Sequence, residues 1–117
     1  MKDKRPKAIG FDIDNTLYEY EICNTHAHEK TLQYASEKFN IEISQFKKKL
    51  KVAKANVKTN LKNTGSSHSR LLYFHEMLAL MKITDSYEAI RLESIFWREY
   101  LSKIKANPGL KLSLIHI

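Results

Sequence analysis

The sequence predicts a mostly α-helical chain, in which one buried strand is followed by four amphipathic helices. Four stretches carry apolar residues at helical spacing, and short polar connections separate them. The 117 residues include only three glycines and two prolines, which is too few for an all-β protein rich in turns. With 43% hydrophobic and 28% charged residues, the chain can build the packed core of one ordinary domain.

The predicted strand covers residues 8–13, where Ile9, Phe11 and Ile13 belong to a nearly continuous apolar run. Such a run is typical of a strand that is buried on both faces of a parallel sheet. A strand of this kind needs neighbouring strands that form hydrogen bonds with its backbone. Residues 110–117 are the one other segment that could form a strand, and they could equally begin a helix. We therefore expect the chain to be the beginning of a larger protein.

The four predicted helices are bounded by residues that favour helix ends. In chain order they cover about 21–39, 44–61, 67–81 and 85–105. Asn40 is expected to stop the first, Ser44 to cap the second, and Asn107-Pro108-Gly109 to end the fourth. On the fourth helix, one apolar stripe contains Ile90, Trp97, Leu101 and Ile104, and a second lies beside it with Ala89, Leu92, Phe96 and Tyr100. Consecutive amphipathic helices with short connections predict a four-helix bundle, with these stripes in its core.

The residues with the clearest chemistry follow the predicted strand. Asp12, Asp14 and Thr16 occupy alternate positions, which point to one side of an extended segment. One carboxylate could attack a phosphorus centre, and the other could protonate the leaving oxygen. A hard cation such as Mg²⁺ would bring two carboxylates and a phosphate together. The residues alone also permit a capped turn or a calcium-type surface loop.

Residues 11–17, Phe-Asp-Ile-Asp-Asn-Thr-Leu after an apolar run, resemble the first motif of the haloacid dehalogenase-like (HAD) hydrolase superfamily. The helices after the motif are similar to the C1-type cap of many members, and residues 66–74 resemble a cap segment more weakly. The resemblance implies an α/β protein with a Rossmann-like core and a helical cap. It divides the chain into a first strand and catalytic loop at 1–20, a cap at 21–105, and a truncated return to the core at 106–117.

The resemblance also implies the roles of individual residues. Asp12 would be the nucleophile that forms an aspartyl-phosphate, Asp14 the general acid/base, and Thr16 a support of the loop. The Asp12 carboxylate and the Asp14 backbone carbonyl would bind Mg²⁺. An acid at position 14 favours a phosphatase, acting on a small phosphorylated metabolite, over a dehalogenase. Members of the superfamily continue with further motifs that this chain does not contain, so we expect little or no activity from these residues alone.

The formal charge of +7 raises an alternative function. Five lysines follow helical spacing on the second helix, namely Lys47, Lys51, Lys54, Lys58 and Lys62. Such a stripe could belong to a basic helical module that binds nucleic acid or an acidic partner. Aromatic residues do not interleave with it, so a solvated helix face is favoured and a nucleic acid partner is disfavoured. Arg70 could bind a substrate phosphate through two hydrogen bonds, and a surface role is equally open.

Several other classes are disfavoured by composition. No apolar run approaches the roughly 20 residues that span a bilayer, and the charged N-terminus does not lead into a secretory signal. Cys23 is the single cysteine, so a disulfide framework is excluded. We therefore expect a cytoplasmic protein without a membrane partner. The five histidines lack the spacing of metal ligands, and nothing in the sequence predicts an oligomeric state.

Overall fold

Four α-helices and one short 3₁₀ helix make up the computed structural model, which describes residues 5–111. The α-helices are α1 (Tyr20–Phe39), α2 (Ile43–Asn60), α3 (Arg70–Leu80) and α4 (Ser86–Ser102), and the 3₁₀ helix is Gly65–His68. Helix α1 packs against α2 and α4, and α3 packs against the same two helices. The mostly helical class and the number of helices are confirmed. None of these helices is long and apolar enough to cross a membrane, within the described residues.

The predicted strand is not formed in the part of the chain that the structure describes. Residues 8–13 have no regular secondary structure, and Ile9, Phe11 and Ile13 are 53%, 47% and 58% exposed. The physical reason is that a strand needs a neighbouring strand to accept and donate its backbone hydrogen bonds. Residues 5–111 provide no second strand. The other segment considered as a partner strand covers residues 110–117, and residues 112–117 lie outside the described residues.

The helix ends follow capping chemistry, but of the three predicted end positions one is confirmed, and α4 already ends at Ser102, before Asn107. Asn40 adopts the left-handed conformation at the C-terminal end of α1, with φ 53° and ψ 47°, as predicted. The prediction for Ser44 is wrong, since Glu42 precedes α2 and Ser44 lies inside its first turn. Ser69 and Asp85 are the N-caps of α3 and α4, and each side chain accepts a hydrogen bond from a backbone amide of its helix. Helix α3 therefore begins later than predicted.

The core is built around three fully buried phenylalanines, Phe46, Phe74 and Phe96. On α4 the buried stripe contains Ala89, Leu92, Phe96 and Tyr100, whereas the stripe of Ile90, Trp97, Leu101 and Ile104 is exposed. The expectation that both stripes line the core is wrong for the second one. A helix that contacts two neighbours buries only the face between them, and here α1 and α3 cover the first stripe.

His28 of α1 lies at the edge of this core, with its ring centroid 4.9 Å from that of Phe96. Burial, together with the positive charges of Lys54 and Arg70, lowers the pKa of His28 to about 3. Unfolding returns the ring to water, where its ordinary pKa is about 6.5. Between these two values the unfolded chain binds a proton that the folded chain does not bind.

We therefore expect the free energy of unfolding to fall as the pH is lowered from about 6.5 towards 3, by up to about 1 kcal/mol per pH unit from this residue. The variant His28→Gln should lose this contribution and show a shallower pH dependence. Urea unfolding at pH 7 and at pH 4.5, followed by circular dichroism, measures the difference. His68→Gln removes an exposed histidine and is the control. An unchanged slope in His28→Gln would contradict the assignment.

Candidate functional site

A tight turn places the two predicted acids directly before α1. The amides of Thr16 and Leu17 both donate to the carbonyl of Ile13, at 3.2 and 3.0 Å. Asp12 and Asp14 are exposed on this turn. The Thr16 hydroxyl donates to Oδ2 of Asp12 at 3.4 Å, which is near the long limit of a hydrogen bond. The structure therefore joins Thr16 to Asp12, in keeping with the predicted support of the loop.

A second contact joins Asp14 to the bundle. The phenol of Tyr18 donates to Oδ1 of Asp14 at 2.6 Å, and it also shares a hydrogen bond with the phenol of Tyr100 on α4. Burial and the hydrogen bond to Asp14 raise the pKa of Tyr18 well above its ordinary range. Tyr18 thus stays protonated and donates a hydrogen bond to the Asp14 carboxylate. Because a hydroxyl has one proton, Tyr100 has to be the donor to Tyr18.

This tyrosine pair was not predicted as part of the site. The sequence assigned Tyr100 to a core stripe of the fourth helix. The two residues are 82 positions apart, so no local pattern relates them. The phenol of Tyr18 binds Oδ1 of Asp14, whereas Oδ2 of Asp14 has no partner among the described residues. One carboxylate oxygen is therefore fixed and the other is available for chemistry.

Removing the Tyr18 hydroxyl should destabilise the folded chain measurably. In Tyr18→Phe the hydrogen bond to Asp14 is lost and the buried Tyr100 hydroxyl loses its acceptor, which costs about 1–2 kcal/mol. Urea unfolding of the two proteins gives the difference directly. Tyr87→Phe is the matched control, because Tyr87 is 76% exposed. Equal stability of Tyr18→Phe and the unmodified chain would show that the tyrosine pair does not form in solution.

The loop is also anchored to the segment that follows α4. The backbone amide of Asn107 donates to the carbonyl of Leu17 at 2.8 Å. Its side-chain amide donates to the carbonyl of Thr16 at 2.8 Å. At the start of α1, the side chain of Asn15 accepts from the amide of Tyr20 at 3.0 Å. These contacts hold the turn at both ends, and the 91-residue separation of Thr16 and Asn107 explains why the sequence did not predict them.

Arg70, the fourth predicted site residue, is half-buried at the start of α3 and makes several contacts. One terminal nitrogen of its guanidinium donates to the phenol of Tyr20 and to Oδ1 of Asn24, the latter at 3.3 Å. The group also lies over the rings of Phe96 and Trp97, at 5.4 and 5.7 Å from their centroids. Tyr20 in turn is bonded to the loop through its backbone amide. Arg70 is therefore two contacts away from the acidic turn.

The charge of Arg70 is not neutralised by a carboxylate within residues 5–111. Its hydrogen bonds there go to the neutral oxygens of Tyr20, Asn24 and His68. The Nε atom is buried without a hydrogen-bond partner in this part of the chain. A cation that is held by neutral groups is suited to bind an anionic group, such as a phosphate.

The donor set of the turn fits a hard cation only in part. The carboxylate of Asp12 and the backbone carbonyl of Asp14 are oxygen ligands of the kind that Mg²⁺ prefers, and both residues lie on an exposed turn. Within the described residues, no group of three His, Cys, Asp or Glu side chains could hold a metal ion. The turn could therefore contribute ligands to a magnesium site, and further ligands would have to come from elsewhere.

Comparison with known proteins finds one informative likeness. The chain is 31% identical over 109 residues to a protein of Halopiger xanaduensis named ribulose-1,5-bisphosphate 5-phosphatase. The match covers 92% of this chain and 46% of that protein, so the chain spans about half the length of the curated relative it matches. No family model matches the chain. No solved structure matches it either.

Proposed function

We propose that these residues are part of a phosphatase that acts on a phosphorylated sugar. The observation that carries the proposal is the likeness to ribulose-1,5-bisphosphate 5-phosphatase, which covers 92% of the chain. A match of that extent includes Asp12, Asp14 and Thr16 whichever end of the chain is left out. The turn also supports the proposal, because it presents two exposed carboxylates and is linked to Arg70 through Tyr20.

The finer proposal is an HAD-like mechanism with Asp12 as the nucleophile. The Asp12 carboxylate attacks the phosphorus, an Asp12–phosphate bond forms, and the bond from phosphorus to the sugar oxygen breaks. The Asp14 carboxyl group donates a proton to that leaving oxygen. It then takes a proton from the water that attacks the phosphorus, and inorganic phosphate and the free Asp12 carboxylate are released. Thr16 steadies Asp12 during both steps.

The contact with Tyr18 gives Asp14 a defined orientation in this mechanism. Since the phenol occupies Oδ1, the proton would be transferred through Oδ2. Mg²⁺ held by the Asp12 carboxylate and the Asp14 backbone carbonyl would reduce the repulsion between the nucleophile and the phosphate. Arg70 would contribute positive charge on the side of the helical bundle, which acts in this proposal as a cap over the substrate.

The proposal includes a limit on the activity of the isolated chain. Residues 5–111 contain two potential ligands for magnesium and no third acidic side chain grouped with them. Electrostatic stabilisation of the transferred phosphoryl group requires a complete and preorganised set of charges. We therefore expect the 117 residues alone to release phosphate at or near the uncatalysed rate.

A chimera tests the proposed function. In it, the matching 109 residues of this chain replace the corresponding part of the Halopiger phosphatase. We expect Mg²⁺-dependent release of phosphate from ribulose 1,5-bisphosphate by the chimera, with loss of activity in EDTA, and none from the isolated chain. A chimera that unfolds in one cooperative thermal transition and yet has no activity would contradict the proposal. Robust activity of the isolated chain would contradict the expected incompleteness of the site.

A further inference from the structure

A cleft of about 320 Å³ lies between α1 and α2, and basic and polar residues line it together with Leu32 and Leu50. Lys47, Lys51 and Lys54 line it from α2, and Asn24 and His28 line it from α1. Glu29 is the one acidic residue among the described residues that line it. Three lysines of the stripe therefore surround a concave site, and the others face bulk solvent. The site is large enough for a phosphorylated small molecule.

Lys54 lies deeper than an ordinary surface lysine. Its Nζ atom is 3.3 Å from Nε2 of His28 and 5.9 Å from the ring centroid of Tyr73. No carboxylate is within ion-pair distance of Lys54 in residues 5–111. Burial, with the nearby charges of Arg70 and Lys58, lowers the pKa of Lys54. The ammonium group is therefore partly desolvated, and its partner among the described residues is the neutral ring of His28 and not a negative charge, which leaves its charge available to an anion.

Arg70 extends the same positive region towards the acidic turn. Asn24 lines the cleft and also accepts a hydrogen bond from Arg70, so the guanidinium lies behind a lining residue and does not line the cleft itself. Arg70 further contacts Tyr20, whose amide is bonded to the loop. Along α1, the rise of 1.5 Å per residue places His28 about 12 Å from Tyr20. His28 in the cleft thus lies at a distance from Tyr20 that is comparable with the length of a small sugar phosphate.

We propose that the cleft between α1 and α2 binds a phosphoryl group, with Lys54 as its inner cation and Lys47 and Lys51 at its mouth. The group belongs either to the substrate, as a phosphate that is not hydrolysed, or to a separate phosphorylated ligand. Only the first of these sources depends on the proposed function. The ammonium group of Lys54 supplies the donors that His28 does not occupy, and the Arg70 guanidinium adds positive charge from behind Asn24.

Binding of inorganic phosphate to the 117-residue chain tests the site without turnover. The chain carries Asp12→Asn, so that the proposed nucleophile does not contribute, and binding is followed by ¹H–¹⁵N NMR. We expect saturable shifts of Asn24, His28 and Lys54, and at least about tenfold weaker binding in Lys54→Gln. Lys49→Gln removes the same charge from an exposed position of α2 outside the cleft, and should change the affinity by less than about twofold.

Two results would overturn the proposal. One is saturation that shifts only the residues of the acidic turn, and the other is equal weakening by Lys54→Gln and Lys49→Gln, which indicates general charge attraction. Thermal unfolding of both variants verifies that they are folded. The failure of this proposal is separate from that of the proposed function, because phosphate binding is measured in a chain that cannot form the Asp12 intermediate.

The chimera distinguishes the two sources of the phosphoryl group. If Lys54→Gln raises KM for a sugar bisphosphate at least about tenfold and leaves KM for a sugar monophosphate within about twofold, the cleft holds the second phosphate of the substrate. If neither KM changes while inorganic phosphate binding is lost, the cleft serves a separate phosphorylated ligand. Unchanged phosphate binding in Lys54→Gln would rule out both.

Discussion

Replacing Asp12 by asparagine is expected to lower the turnover of the chimera by at least about 10³-fold. The amide cannot attack phosphorus as a carboxylate does, while its shape still permits the contact with Thr16 that is seen at 3.4 Å. Substrate binding should be much less affected, because the cationic residues are unchanged. Steady-state release of phosphate from ribulose 1,5-bisphosphate, measured with saturating Mg²⁺, gives the comparison.

Asp85→Asn is the matched control for that substitution. It also exchanges a carboxylate for an amide, but Asp85 caps α4, where asparagine caps about equally well. We expect its activity to stay within about twofold of the unmodified chimera. An Asp12→Asn chimera that keeps more than about a tenth of the activity would exclude Asp12 as the nucleophile.

Truncating Phe96 to alanine is expected to destabilise the isolated chain by about 3–5 kcal/mol. The ring is fully buried, and its centroid lies 6.0 Å from that of Phe74 and 5.9 Å from that of Tyr100. It also supports the guanidinium of Arg70. The loss would therefore open a cavity at the centre of the bundle and loosen the cation beside the site. Urea unfolding followed by circular dichroism measures the change.

Tyr87→Ala provides the comparison, since it removes a large aromatic side chain of α4 that is 76% exposed. Its effect should be below about 0.5 kcal/mol. A loss of less than about 1 kcal/mol in Phe96→Ala would show that the core is not packed as described.

The helices were predictable because their signals are local. Apolar residues at helical spacing predicted α2 with Phe46 and Leu50 buried, and Asn40 predicted the end of α1. One prediction that failed concerned which face of α4 is buried. That face is decided by the neighbouring helices, whose positions residue spacing does not reveal. The exposed stripe of α4, which includes Trp97, is as apolar as the buried one, and only the positions of α1 and α3 decide between them.

The same division applies to the candidate site. Asp12, Asp14 and Thr16 lie within five residues, so their alternation alone brought them together as candidates. Arg70 was a candidate by chemistry, but its contacts depend on where the fold places the start of α3 relative to α1 and α4. The hydrogen bonds of Tyr18 with Tyr100 join residues 82 positions apart. Contacts of this kind come from tertiary packing, and a single sequence contains no pattern that reports it.

We propose that Asp12 becomes covalently phosphorylated, and an Asp14→Asn chimera tests this claim most directly. Without the general base, hydrolysis of the intermediate should slow more than its formation, and the phosphorylated enzyme should accumulate. The reaction with ribulose 1,5-bisphosphate is stopped with acid, and the peptides are identified by mass spectrometry. We predict one added phosphoryl group on the peptide that contains Asp12, and none in the Asp12→Asn, Asp14→Asn double variant. Turnover by the chimera with no phosphorylated peptide, or with the phosphate on a residue other than Asp12, would contradict the account.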